Sequence, residues 1–523
     1  MLNIRKSFRW NTHQWFTLIA VCIASFQEPL ATTMTVVALP DIEQTLNANF
    51  TELQWFINAY VLMFAAFVLT AGTLMDLFGR RLIFVIGMVL FTLGFLFCGL
   101  ATDPLWLSIS RGVLGIGAAL SLGLPLLVHE FDGRDRASAF GIWGVAVCIG
   151  SAFGPLIGGV VNDILNWRWV FLINVPICVI VIALTLAQVR ESRDPDARHI
   201  DWAGLITFTS MFSLLMFTLI EGNERGWTSP VIIGTLIATG VLLAAFLMAE
   251  GRQARPMFDL SLFRLPTFVG ASTLAVVIAG TFFTLIVYLP IYFQGVLGYS
   301  ATQAGLALVP MALPLLIMGP LAGKLAAYLP SRVFLSAGLV MISVGAVRMA
   351  DINAYSGLSA LLGGMILAGI GAGLINGELS NVAVSVVVPA RSGMASGINH
   401  TMRQFGFGIG IAGLGAIFSY QIRASVLTSI ANTPIGEGGQ SSGLAKRVIA
   451  GDIDGAVSSL PLEVQSVFTQ VAKVSFVSGM HRIFLVTAIV ALIGAVLTFM
   501  LVRDRDVIQV SAKTKAPTDL SRD

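Results

Sequence analysis

QWFINAYVLMFAAFVLTAGTLMDLFGRR, residues 54–81, decides the fold. From Gln54 to Leu74 no residue is charged. A bilayer core of about 30 Å takes about 20 such residues as a helix. No water there can satisfy a free backbone group, so an apolar run of this length crosses as a helix. The run then ends on Asp76, Arg80 and Arg81. Basic residues at a span's end mark its cytoplasmic side.

Working outward, the same reading applies to thirteen more stretches. Those before residue 190 are Trp15–Leu39, Leu82–Ala101, Leu105–Val128, Ser138–Val160 and Trp169–Gln188. Trp202–Ile220 and Pro230–Met248 follow. The rest are Thr267–Phe293, Thr302–Ala326, Val333–Ala350, Leu358–Asn381, Gly393–Ser419 and Ile483–Leu501. The chain is 56% hydrophobic and 11% charged, with mean hydropathy +0.86. Soluble domains carry about 25% charged residues. The predicted fold class is an all-α polytopic membrane protein with fourteen transmembrane helices.

A net charge of +3 is too small to suggest a nucleic-acid partner. Its distribution says more. Arg5, Lys6 and Arg9 precede the first span, and alternate connections repeat the sign. They carry Arg80 and Arg81; Arg134 and Arg136; Arg190, Arg193 and Arg198; Arg252, Arg255 and Arg264; Lys324 and Arg332; Arg391; Arg503 and Arg505. The intervening connections are acidic or neutral, with Asp41, Glu43, Glu52 and Asp103, then Asp163 beside Arg168. This charge pattern puts both termini in the cytoplasm, and an even number of spans requires them to share a side. The basic N-terminus and its apolar run are too long for a signal peptide. Cys22, Cys98, Cys148 and Cys178 fall inside spans, at no metal-ligand spacing, and read as packing residues.

Short loops leave no room for a soluble catalytic domain. The exception is the outer loop 420–482. It begins with Pro434, Gly436, Gly438 and Gly439, then places Val464, Val467, Phe468, Val471 and Val474 near helical spacing. A helix on the outer surface or capping the bundle is expected; the alternative is a docking site for a periplasmic adaptor. A weak repeat near 250 residues aligns Gly72–Arg81 with Gly323–Arg332, and Arg111–Ala119 with Met365–Gly373. It divides the chain into an N-terminal six-helix bundle (1–189), two inserted helices (190–266), a C-terminal six-helix bundle (267–503) and a tail (504–523). Paired halves of this kind place a substrate site at their interface.

The loop GTLMDLFGRR, with Gly72, Asp76, Gly79, Arg80 and Arg81, resembles the signature loop of the major facilitator superfamily; Leu77 departs from its usual basic residue. LSISRGVLGIGAA (107–119), carrying Arg111, resembles the fourth-span motif of proton-coupled members, with Leu114 in place of a frequent glutamine. GSAFGPLIGG (150–159) resembles the antiporter motif, with Gly150, Gly154, Pro155, Gly158 and Gly159 as a smooth, kinkable face. WRWVFLINVP (167–176) completes the pattern. The second half adds LPIYFQGVLGYSATQAGLALVP (289–310) and GMASGINHTMRQFG (393–406). With fourteen spans the chain resembles the drug:proton antiporters of the quaternary-ammonium and hydrophobic-uncoupler exporter type. The resemblance implies gating by the signature loop and alternating access.

One departure concerns the first span. Where the family has a membrane aspartate, this chain has Ala31 within LATTMTVVALP (30–40). Glu28 stands about one turn earlier and substitutes for it in this reading; Thr32 and Thr35 extend the polar stripe. A charge at the bilayer centre costs about 2.5–3.5 kcal/mol, so each intramembrane charge is a functional candidate. Glu28 and Arg111 are expected to pair near a proton site; the alternative for Arg111 is a static ion pair. Glu378, His400 and Arg403 are expected at similar depth as a second titratable cluster, with Glu378 favouring cationic substrates. His400 alone reads as a hydrogen-bonded structural residue. Arg348 and Asp351 read as a surface pair at an outer helix end. Trp55, Tyr60, Trp143, Phe283 and Tyr292 could offer faces to a lipophilic cation, against ordinary packing.

No nucleotide loop, metal-ligand set or nucleophile–base pair stands out, so no cofactor, metal or enzymatic activity is expected. The expected function is proton-coupled export of lipophilic, cationic or multidrug compounds from a bacterial inner membrane. The alternatives are a dedicated exporter of one endogenous metabolite, and a receptor or scaffold that transports nothing.

Overall fold

A computed structural model describes residues 10–131, 133–193, 201–253, 258–325, 328–387, 392–430, 441–503 and 506. Arg5, Lys6, Arg9, Arg198, Arg255, Arg391, Arg505, the glycine-rich 434–439 and the tail, Asp506 apart, lie outside the described residues, as do the side chains of Arg134 and Lys324.

The first half comprises α1 (Thr12–Val37), α2 (Leu39–Leu46), α3 (Phe50–Phe78), α4 (Arg80–Gly99), α5 (Pro104–Leu120), α6 (Leu124–Glu130), α7 (Gly133–Ile164), α8 (Trp167–Leu172) and α9 (Asn174–Gln188). The inserted pair is α10 (Trp202–Arg225) and α11 (Pro230–Arg252). The second half holds α12 (Pro266–Ile278), a π turn (Ala279–Phe283), α13 (Thr284–Gly295), α14 (Ala301–Ala307), α15 (Val309–Leu325), α16 (Ser331–Ala350), α17 (Leu358–Ser385) and α18 (Ser392–Ile430). It ends with α19 (Ser441–Ala450), α20 (Ile453–Ser458) and α21 (Leu462–Leu501). Among the described residues there is no strand.

Local sequence explains the starts. Asn11 with Gln14, Asn49 with Glu52 and Ser300 with Gln303 form reciprocal capping boxes. Prolines open α5, α11 and α12, where the missing N–H costs nothing. Among the described residues, thirteen helices are long and apolar enough to cross a membrane. The bent pair Ala301–Ala307 and Val309–Gly319, broken by 43°, makes up to fourteen.

The outer loop differs from expectation. Its valine-rich segment is no separate surface helix but the first turns of α21, a continuous 40-residue helix. The apolar stripe runs in phase into the final span. Phe468, Ala472 and Phe476 are buried, and Ser475 Oγ donates to Ser425 Oγ on α18 at 2.9 Å. Helices α19 and α20 fold back as a cap, burying Leu444, Val448, Ile449 and Ile453. Lys446 of the cap pairs with Glu224 of α10 at 2.8 Å. Glu43 of α2 is buried near Asp452 and Arg447. Burial first, then Asp452, pushes its carboxyl up to about 8 against the pull of Arg447.

The end carrying Arg80 and Arg81 is here called the basic end, and the opposite one the cap end. Helix α10 packs on α3 of the first half and α18 of the second, covering one seam. Hydrogen bonds between the halves, among the described residues, all lie toward the cap end. Gln54 donates to the Ile411 carbonyl at 3.0 Å, and Gln294 to the Val37 carbonyl at 3.0 Å. Asp163 of α7 accepts from Ser300 Oγ at 2.8 Å and from the backbone N–H groups of Thr302 and Ala301 at 2.9 and 3.2 Å. The molecule is therefore sealed at the cap end.

Candidate functional site

Glu28 lies in the middle of α1, one residue before the helix-interior Pro29, and is only partly exposed. Across the interface, α18 carries His400 and Arg403. The charges of Glu28 and Arg403 act on one another, but no direct ion pair joins them. Arg403 instead holds its guanidinium over the Phe283 ring, 4.6 Å from the centroid. The π turn carries Phe283; one extra residue per turn is a common device where a helix must re-aim a side chain at a functional site. Cys148 of α7 also lies within electrostatic reach of Arg403.

Arg111 is fully buried. It does not pair directly with Glu28; Tyr60 stands between them. The Arg111 guanidinium sits over Tyr60 at 4.6 Å and over Phe56 at 5.0 Å. Its nitrogens donate to the Phe56 and Ala31 carbonyls, both at 3.4 Å, while Nη2 has no partner. The Tyr60 hydroxyl donates to the Glu28 carbonyl oxygen at 3.4 Å. Aromatic faces replace a carboxylate here because Ala31 supplies none. A desolvated cation–π contact can be worth about 2 kcal/mol, enough to matter beside two long hydrogen bonds.

The second expected cluster separates. Glu378 accepts from Asn381 on its own helix at 3.2 Å, toward the basic end of α17. It makes no described contact with His400 or Arg403. His400 packs against Phe64 at 5.4 Å, and its Nε2 is buried without a partner. The aromatic candidates are largely occupied. Tyr60 and Phe283 hold the chain's own arginines. Trp55 donates to Glu221 at 3.3 Å, and Tyr292 to the Ser356 carbonyl at 3.1 Å. Trp143 packs on Phe140.

At the basic end, Asp76 pairs with Arg80 at 2.9 Å within its own loop. Glu191 was not singled out by the sequence. Its carboxylate accepts the backbone N–H groups of Arg81 and Leu82, both at 3.1 Å, capping α4. Gly79 has φ 118°, and an added methyl would collide with Glu191. Gly72 has open space around it. Arg81 donates to the Leu186 carbonyl at 2.7 Å.

The antiporter-motif glycines mark close backbone approaches. A methyl at Gly150 would meet the Phe26 carbonyl, one at Gly154 the Thr33 hydroxyl, and one at Gly158 the Met34 backbone, all on α1. One at Gly159 would meet Ala301, and Gly305 meets the Pro155 carbonyl in the same way. Pro155 thus sits at the α7–α14 crossing. Asp163, one turn beyond Gly159 on α7, completes that crossing. Its signal was the capping box Ser300–Gln303, whose free N–H groups invite an anion.

A separate cavity of about 320 Å³ opens at the cap end, lined by Asn49, Gln54, Glu224, Trp227, Arg423 and Lys446 among others.

The family model of the Major Facilitator Superfamily matches residues 21–411. Multidrug resistance protein Stp of Mycobacterium tuberculosis is 35% identical over 80% of this chain and 78% of its own. Cephamycin export protein CmcT of Amycolatopsis lactamdurans is 36% identical over 76% of this chain and 83% of its own. A bacterial homolog of the human lysosomal transporter Spinster, solved in an inward-facing and occupied conformation, superposes with TM-score 0.67 at 17% identity, covering 96% of this chain and 100% of that one. The chain belongs to the Major Facilitator Superfamily, in its drug:proton antiporter branch, a family of transporters rather than enzymes.

Proposed function

We propose that this protein is a proton-coupled antiporter that exports lipophilic compounds by alternating access, with both termini and the basic end in the cytoplasm. The observation that carries the reading is Glu28, a partly buried carboxyl in the middle of a membrane helix, within electrostatic reach of Arg403 on α18. In the arrangement sealed at the cap end, substrate enters from the cytoplasm. Binding drives the proton from Glu28 into cytoplasmic water. The halves rock, substrate leaves outside, and a proton from outside resets Glu28. Asp76 and Arg80 hold one state through their pair at the hinge loop. The glycine face of α7 lets α1 and α14 seal without a gap. Arg111, through Tyr60, keeps positive charge near the site; His400 and Glu378 stand as further titratable groups on the second half.

Reconstituted protein with an inward-directed proton gradient should drive at least one compound of a lipophilic panel uphill. Glu28→Gln should lose that drive yet keep exchange of labelled for unlabelled substrate. Full pumping by Glu28→Gln would remove Glu28 from the coupling. Glu28→Ala combined with Ala31→Asp should restore part of the drive. A relative named for cephamycin export favours a second reading, a dedicated exporter of one metabolite. That reading predicts one strong hit in the panel. An adaptor at the loop 420–482 is less favoured, because the cap turns most of its apolar residues inward and leaves Tyr420, Leu462, Val467 and Val474 outside.

A further inference from the structure

The cavity at the cap end has no part in the transport cycle described above, and its walls are charged. It lies where the inserted pair and the cap meet both halves. Helix α3 gives it Gln54, α10 gives Ile220 and Glu224, α18 gives Ser419 and Arg423, and α19 gives Lys446. Its volume of about 320 Å³ is that of a small ligand pocket. Lys446 and Glu224 pair at 2.8 Å. Arg423 is exposed and, among the described residues, makes no hydrogen bond or ion pair. The charged side chains of the lining are these three, so Arg423 and Lys446 against Glu224 leave one positive charge. It resides on a guanidinium whose donors are unused.

Depth in the membrane identifies the ligand. Gln54, Ile220 and Ser419 are where three apolar spans reach the cap end, so the cavity lies at the boundary between hydrocarbon and water. Trp227 and Tyr420 line it and are exposed, as aromatic side chains are at the level of lipid headgroups. Trp227 is held in place by its Nε1, which donates to Asn223 at 2.9 Å. Just beyond it, α11 exposes Val231, Ile233, Leu236 and Ile237, an apolar surface for acyl chains. A guanidinium takes phosphate through two parallel hydrogen bonds. We propose that the cavity binds the headgroup of an anionic phospholipid from the leaflet at the cap end, with the phosphodiester on Arg423 and the chains along α11. An anionic headgroup neutralises the positive charge of the lining, whereas a zwitterionic one brings a second cation beside it. The walls of the cavity come from both halves, so the lipid favours the form sealed at the cap end.

The test is native mass spectrometry of the full chain, stripped of lipid in detergent and titrated with phosphatidylglycerol or with phosphatidylcholine of the same chains. The first phosphatidylglycerol should bind about tenfold more tightly than the first phosphatidylcholine, the difference of one good charged contact. Arg423→Gln should erase that preference, and Arg423→Lys, which keeps the charge, should retain part of it. Equal affinity for the two lipids in the wild type, or a preference that Arg423→Gln keeps in full, overturns the proposal. Soluble glycerol phosphate should leave the phosphatidylglycerol bound. Its displacement by glycerol phosphate would make the occupant a soluble phosphate and overturn the lipid assignment. In nanodiscs, replacing phosphatidylcholine by phosphatidylglycerol should enlarge the short component of spin-label distances between the cap ends of α7 and α14. Arg423→Gln should not respond to that exchange of lipid, and an equal response in this variant would contradict the sealing role.

Discussion

Arg111 and Glu43 show how burial sets the behaviour of single residues. Arg111 was legible in the sequence as an intramembrane charge, but its partners were not. Depth counting put it within reach of Glu28, whereas the structure interposes the Tyr60 ring, which a one-dimensional reading cannot place. Glu43 read as an ordinary acid of an outer loop. It is buried, and Asp452 and Arg447 of the cap, far along the chain, lie within electrostatic reach of it. A solvated glutamate keeps its ordinary value of 4.5, so closing the cap over Glu43 takes up a proton between about pH 4.5 and 8. The closed cap is favoured at the acid side of that window and loses its advantage as pH rises through it. Hydrogen exchange of α20, corrected for intrinsic rates, should show protection falling across the window. Glu43→Gln should flatten the profile, and an unchanged slope in that variant would assign the effect elsewhere.

At the scale of elements, hydropathy revealed the spans because the bilayer imposes length and composition on each one separately. Helix ends beyond the membrane were not legible, since no such constraint acts there. Helix α18 runs on to Ile430 and α21 starts at Leu462, because their apolar stripes pair with each other outside the bilayer. The α7–α14 crossing shows the same limit. Its glycines were visible as a motif, while Asp163 was visible only as a loop acid. A carboxylate on the N–H groups of α14 couples the halves by charge and by hydrogen bonds, worth about 1–2 kcal/mol. Asp163→Asn should therefore shift the population about 5- to 30-fold toward a form open at the cap end. Spin-label distances between α7 and α14 would read that shift as a longer component. An unchanged distribution would make Asp163 a passive cap.

The whole molecule adds what neither residue nor element contains: which groups meet across the interface. The sequence offered Glu378, His400 and Arg403 as a cluster at similar depth, and Glu28 with Arg111 as a separate pair. Only the packing of the helices brings Arg403 within electrostatic reach of Glu28 and leaves Glu378 with Asn381. The repeat and the short loops suggested two halves, but the seal at the cap end depends on contacts such as Gln54 to Ile411 that are remote in sequence. The central claim is that Glu28 gives up a proton when substrate binds. It is tested most directly by titrating purified protein with a transported compound in weak buffer and reading released protons with a pH dye. The account predicts about one proton per substrate bound by the wild type near the carboxyl's titration range, and none from Glu28→Gln with binding preserved. Equal release from both proteins would contradict it.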